Sequence, residues 1–127
     1  MARKTLAGRL ILIAEDEALI SMEIENSFKA AGARVRLCTT VEGSMVVAED
    51  ADLAAAVVNH VLYDGEAAPI CQRLTERGIP FVLFSGYSTV DGACRTGVRV
   101  NKPSTGAILL ATVAGLFGPY LALVPKP

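Results

Sequence analysis

Leu10-Ile11-Leu12-Ile13-Ala14-Glu15-Asp16-Glu17 is the stretch on which the fold turns. Its first half is an apolar run too short for a helix and rich in Ile and Leu. That is the pattern of a strand buried on both faces, as in a parallel sheet. Its second half is an acidic cluster at the strand's carboxyl end. Next outward, Ile20, Ile24, Phe28 and Ala31 recur at helical spacing, with Glu23, Glu25 and Lys29 on the other side. Gly32 is placed to stop that helix.

The alternation continues along the chain. Arg34 to Cys38 reads as a second strand. Thr39 or Thr40 is expected to cap a short helix through Ala48, with Glu42 three residues after Thr39 completing a capping box. Ala54 to Val58 is a third strand, apolar on both faces, and His60 to Glu66 a loop of mixed residues. A helix follows with Pro69 in its first turn, where a missing N–H costs little. Ile70 and Leu74 face inward, and Gly78 is a good residue to end it. Phe81 to Phe84 is a fourth strand. Ser85 to Gly97 contains Gly86, Gly92 and Gly97 without helical periodicity, so a loop with one helical turn is expected there. Val98 to Val100 is a short fifth strand, and Thr105 to Phe117 a last helix.

Five strands alternating with helices predict an α/β fold, a five-stranded parallel sheet doubly wound by helices on both faces. Ligands in such sheets bind at the carboxyl ends of the strands. The residues to read for function are therefore Glu15, Asp16, Asn59, Ser85 and Lys102.

Composition bounds the rest. The 127 residues suit a single domain spanning 1–127, and a 52% hydrophobic fraction against 20% charged excludes intrinsic disorder. Thirteen acidic against twelve basic side chains leave a net charge of −1. With no basic excess, no nucleic-acid partner is expected. Cys38, Cys71 and Cys94 are odd in number, far apart and without metal-ligand spacing. Reduced thiols filling the core of a cytoplasmic protein are the simplest expectation.

Neither terminus changes this picture. Arg3 and Lys4 precede an apolar run that stops at the acidic cluster, with no small-residue cleavage site, so a secretory signal is not expected. Pro103 to Pro125 carries no charged residue, but Gly106, Gly115, Gly118 and Pro119 interrupt it. A helix ending near Phe117 is too short to span a bilayer.

The strand-end residues carry a family resemblance along almost the whole chain. Leu10 to Glu17, the third strand ending at Asn59, Ser85-Gly86 and Lys102-Pro103 together resemble a response-regulator receiver domain. Ile79-Pro80-Phe81-Val82-Leu83-Phe84-Ser85-Gly86-Tyr87 further resembles the receiver subfamily named for its FATGUY motif. That subfamily often stands alone and has an irregular or missing fourth helix. The resemblance implies flavodoxin-like topology, no output domain and no enzyme activity of its own. It places the protein in bacterial two-component phosphorelay signalling with a histidine kinase or another signalling protein as partner.

The same resemblance assigns roles. Glu15 and Asp16 become the carboxylates of a Mg²⁺ site, completed by the backbone carbonyl of Val61. Ser85, Gly86 and Lys102 become the phosphate-binding group, with Lys102 pairing to the acids when phosphate is absent. The acceptor position holds Asn59 where the family carries Asp. A carboxylate attacks a phosphoramidate with a charged oxygen, whereas a carboxamide is neutral and its nitrogen lone pair delocalised. Asn59 is not expected to form an acyl phosphate, and Mg²⁺, which prefers charged oxygen ligands, is expected to bind weakly or not at all. A second departure is Arg99, which stands where receivers often place an aromatic switch residue. Tyr87 is the candidate for a related part.

The expected function is thus a receiver-like protein that acts by protein contact without phosphorylation at the usual site. Two alternatives stand beside it. One is a receiver that takes phosphate at His60 or Asp64, or the Asp-to-Asn form of an ordinary regulator. The other is a dimeric or membrane-peripheral module using the apolar last helix, whose Ile108, Leu109, Ala111, Val113 and Leu116 exceed what one inward face needs. The tail Tyr120 to Val124 would add to that surface.

Overall fold

The computed structural model describes residues 6–86 and 92–117. The elements run β1 (Leu10–Ala14), α1 (Ala18–Ala30), β2 (Arg34–Cys38), α2 (Val41–Val47), β3 (Leu53–Asn59), β4 (Val61–Leu62), β5 (Gly65–Glu66), α3 (Ala68–Glu76), β6 (Phe81–Ser85), a 3-10 turn (Gly92–Thr96), β7 (Val98–Asn101) and α4 (Gly106–Leu116). β1, β2, β3, β6 and β7 form one parallel sheet in the order β2-β1-β3-β6-β7. This is the predicted five-stranded doubly wound architecture, and the described part of the connection between β6 and β7 is a 3-10 turn.

The strand patterns follow from position in the sheet. β1, β3 and β6 are central, and their side chains are buried on both faces. β2 is an edge strand with Arg34 and Arg36 exposed, charges that discourage pairing with another chain. Alternate residues of each central strand feed two cores. Leu10, Leu12, Ala56, Val58 and Leu83 pack against Val47 of α2, Ile70 and Leu74 of α3, and Cys94 of the 3-10 turn. Ile11, Ile13, Val57, Val82 and Phe84 pack against Ile24 and Phe28 of α1 and Leu109 and Val113 of α4.

Helix ends match their chemistry. Gly32 and Gly78 hold positive φ after α1 and α3, the left-handed turn that a side chain disfavours. Thr105 caps α4 by accepting from the Ile108 N–H at 3.1 Å. At α2 the cap is Thr40, whose Oγ1 accepts from the Gly43 N–H at 3.0 Å. This corrects the capping-box expectation: Glu42 lies two residues past the cap, and its backbone N–H, not its carboxylate, makes the local contact, donating to Asp64.

Two further expectations are corrected. The loop after β3 contains a small antiparallel hairpin, Val61–Leu62 against Gly65–Glu66, too short to leave an alternating signature in sequence. Cys71 and Cys94 are not separate thiols. Helix α3 and the 3-10 turn bring their Cα atoms to 5.0 Å, within the span of a disulfide, and the two are bonded. Cys38 keeps a free thiol.

α4 is eleven residues long, and among the described residues no helix is long and apolar enough to cross a membrane. Leu109, Val113 and Ala114 of α4 are buried, while Ile108 is 52% exposed. The tail beyond Phe117 lies outside the described residues.

Candidate functional site

Parallel register sets the site. Ala14 of β1 lies beside Val58 of β3, Asn59 beside Phe84 of β6, and Ser85 beside Asn101 of β7. The residues at or just past those strand ends, Glu15, Asp16, Asn59, Ser85 and Lys102, therefore form one row along the carboxyl edge of the sheet.

Glu15 is the most buried charge in the row, at 1% exposed. Its backbone N–H donates to the Cys38 carbonyl at 3.0 Å, extending the β1–β2 ladder by one bond. Its Oε2 accepts from the Glu17 N–H at 3.0 Å. Lys102 Nζ lies 3.4 Å from its Oε1, an ion pair without hydrogen-bond alignment. Burial pushes the Glu15 carboxyl above its usual range, and the Asp16 charge adds to the rise. The Glu17 N–H and the Lys102 ammonium pull it back only in part.

Asn59 occupies the centre. Its Nδ2 donates to the Val61 carbonyl at 2.8 Å and makes longer contacts with Asp16 Oδ1 at 3.4 Å and Glu15 Oε2 at 3.5 Å. The three oxygens for which the sequence suggested a metal thus converge on one amide nitrogen. Among the described residues no group of three or more His, Cys, Asp or Glu side chains is placed to hold a metal ion.

The other half of the row comes from β6 and β7. Ser85 is fully buried, and its carbonyl accepts from the Lys102 N–H at 2.9 Å. Gly86 is exposed, with open space where a Cβ would project. The Lys102 ammonium sits 5.0 Å from the centre of the Phe84 ring, and the Lys102–Pro103 peptide is cis.

No protein-family model matches the chain, and no curated protein matches it. Among solved structures, the chain is similar to a response regulator receiver protein from Sinorhizobium medicae WSM419. Identity is 22% over 86% of this chain and 94% of that one, with a TM-score of 0.76. A CheY-like response regulator receiver domain from Methylobacillus flagellatus matches at 15% identity, 88% and 100% coverage and a TM-score of 0.72. The BeF3-activated conformation of SdrG from Pseudomonas melonis Fr1 is 33% identical, over 88% of this chain and 98% of that one, with a TM-score of 0.68. The chain belongs to the response-regulator receiver family.

In this receiver the remaining candidates fall at varied distances from the row. Val61 turns its carbonyl to Asn59. His60 follows β3, and its carbonyl accepts from the Ala67 N–H at 2.9 Å, closing the hairpin loop. Asp64 is turned away from the row: both its carboxylate oxygens accept from backbone N–H groups at the start of α2. Those contacts hold its carboxyl below the usual aspartate range, the Val41 N–H first among them. Arg99 lies on β7 and donates to the Asn101 side chain at 3.0 Å. Tyr87 lies outside the described residues.

Sequence reasoning missed the part Asp64 plays and the tie between Cys71 and Cys94. An Asp two residues before the end of a hairpin is a weak signal for capping a helix from elsewhere in the chain. The cysteine pair left no signal, because 23 residues of sequence separation carry no information about distance.

Proposed function

We propose that this receiver does not take a phosphoryl group at the usual strand-end position and signals by protein contact. The observation that carries the reading is Asn59, a neutral carboxamide at the end of β3 facing Glu15 and Asp16. Acyl phosphate formation needs a carboxylate oxygen with a free, charged lone pair, and the amide offers none. Ser85, Gly86 and Lys102 keep the residue types of a phosphate-binding row, so the pocket is disarmed at one position rather than dismantled. The stretch Ile79 to Tyr87 supports membership of the FATGUY subfamily within the receivers.

The partner we infer is a histidine kinase or another signalling protein of the same pathway. Leu19 and Met22 of α1 and Ile108 of α4 are exposed apolar side chains that such a partner could cover.

The test is intact mass after incubation with Mg²⁺ and acetyl phosphate, run beside Asn59→Asp. The reading expects a phosphoryl adduct on the Asp variant alone. An adduct on the unaltered protein would overturn it and send the search to His60 or another acceptor. Absence of an adduct on both would mean that the row no longer supports phosphoryl transfer at all.

A further inference from the structure

We propose that the Asn59 carboxamide is a built-in stand-in for the divalent cation of a receiver pocket, so that this pocket is complete without metal. The inference deepens the proposed function and rests on its placement of Asn59 at the acceptor position. Three oxygens meet at Nδ2: the Val61 carbonyl at 2.8 Å, Asp16 Oδ1 at 3.4 Å and Glu15 Oε2 at 3.5 Å.

All three are acceptors. An amide turned the other way would set its carbonyl oxygen against two carboxylates and a backbone carbonyl, so the surroundings fix the NH2 group inward. An NH2 group carries partial positive charge and two donors. It thereby draws together the same oxygens that a cation would draw.

The residues present fit Mg²⁺ poorly for two separate reasons. Mg²⁺ requires oxygens at about 2.0–2.1 Å in a near-octahedral shell. Here the space between the three oxygens is taken by a nitrogen, nearest to the Val61 carbonyl, that cannot coordinate because its lone pair is delocalised into the carbonyl. Charge is also short. Glu15 and Asp16 supply two negative charges, and Lys102 on Glu15 Oε1 already offsets one. Steric occupation and charge shortage make different predictions, and the inference is that occupation decides.

Replacing Asn59 with Ala separates them. It removes the amide and adds no charge. The experiment is a millimolar Mg²⁺ titration without any phosphodonor, followed by backbone amide shifts of residues 15–17 and 59–62 and by the thermal midpoint, on the unaltered protein, Asn59→Ala and Asn59→Asp. The unaltered protein is expected to show no saturable shift and no change in midpoint. Asn59→Ala should have a lower metal-free midpoint and gain a saturable Mg²⁺ response at the same amides. Asn59→Asp should gain a response at least tenfold tighter than Asn59→Ala, having regained a charged ligand.

A saturable Mg²⁺ response in the unaltered protein would overturn the inference. So would an Asn59→Ala variant that stays folded by amide dispersion yet ignores Mg²⁺, since charge shortage alone would then explain the pocket. If Asn59→Ala does not fold, Asn59→Ser keeps a small polar group there and opens the same space, and the same two outcomes apply. Because no phosphodonor is present, these results stand apart from the acetyl phosphate experiment, and either reading can fail alone.

Discussion

The carboxylate of Asp64 accepts from the backbone N–H of Val41 at 2.6 Å and from that of Glu42 at 3.2 Å, so the hairpin after β3 closes the start of helix α2. The Tyr63 N–H adds a bond to the Thr39 carbonyl at 3.4 Å beside it. Two loops at the carboxyl edge of the sheet are thereby joined next to the row of strand-end residues.

This contact has a sign in acid. The Asp64 carboxyl titrates below its usual value, chiefly because the Val41 N–H bonds its charged form. Its contribution to stability is present above the ordinary aspartate value of about 4 and is lost as pH falls through the depressed one. Lowering the pH through that window should shift the Val41 and Glu42 amide resonances together with the Asp64 carboxyl. Asp64→Ala should lower the urea midpoint at neutral pH and abolish that coupled titration.

Glu15 predicts the opposite slope. Its carboxyl is raised by burial. A raised carboxyl favours the folded state below the ordinary glutamate value of about 4.3, and this advantage is lost as pH rises through the raised value. Glu15→Gln should flatten the urea midpoint across that window. A slope equally steep in both proteins would assign the effect to other groups.

Returning a carboxylate to position 59 should destabilise the metal-free protein. Two carboxylates about 4 Å apart repel by about 4 kcal/mol at an effective dielectric of about 20, and Lys102 offsets part of this. Asn59→Asp is expected to cost about 2 kcal/mol without Mg²⁺, read from urea denaturation in chelator. A midpoint that does not fall would show that the acids already repel little.

The disulfide between Cys71 and Cys94 closes a loop across a separation of 23 residues. Chain-entropy arguments assign such a loop about 3 kcal/mol. Both cysteines are buried. Reduction under denaturing conditions followed by refolding in reductant should give a protein whose unfolding free energy, read from urea denaturation, is lower by about 3 kcal/mol. Cys71→Ala with Cys94→Ala should match the reduced form.

Gly97 is held by space rather than by backbone angle. A Cβ there would run into the ring of Phe81, which is buried at the start of β6. Gly97→Ala should cost about 1–3 kcal/mol by overpacking. Gly97→Ala combined with Phe81→Leu should recover part of the loss in thermal melts.

What could be read from the chain depended on where each residue's partners lie. Leu10 to Ala14 announced a central strand because both faces of a parallel sheet demand apolar side chains, and that demand is written locally. The row Glu15, Asp16, Asn59, Ser85 and Lys102 was legible for a related reason: parallel strands all end on one edge, so strand-end positions must meet. Contacts between loops obey no such rule. Asp64 reaching Val41, and Cys71 reaching Cys94, are fixed by how two connections fold over the sheet. Thr39 and Thr40 illustrate a third case. Either could start α2, and the choice fell to the residue whose Oγ1 reaches the Gly43 N–H.

The bond between Cys71 and Cys94 also changes what the chain can do under tension. Residues 72–93, with all of β6 among them, lie inside a covalent ring. A force applied at the two ends would bypass that ring, because the load passes directly between the sulfur atoms. Fully drawn out, the oxidised chain would be shorter than the reduced one by about 75 Å, the extended length of the residues it shelters. Any machine that unravels this protein by pulling on one end would meet a loop of several strands abreast where it expects a single thread.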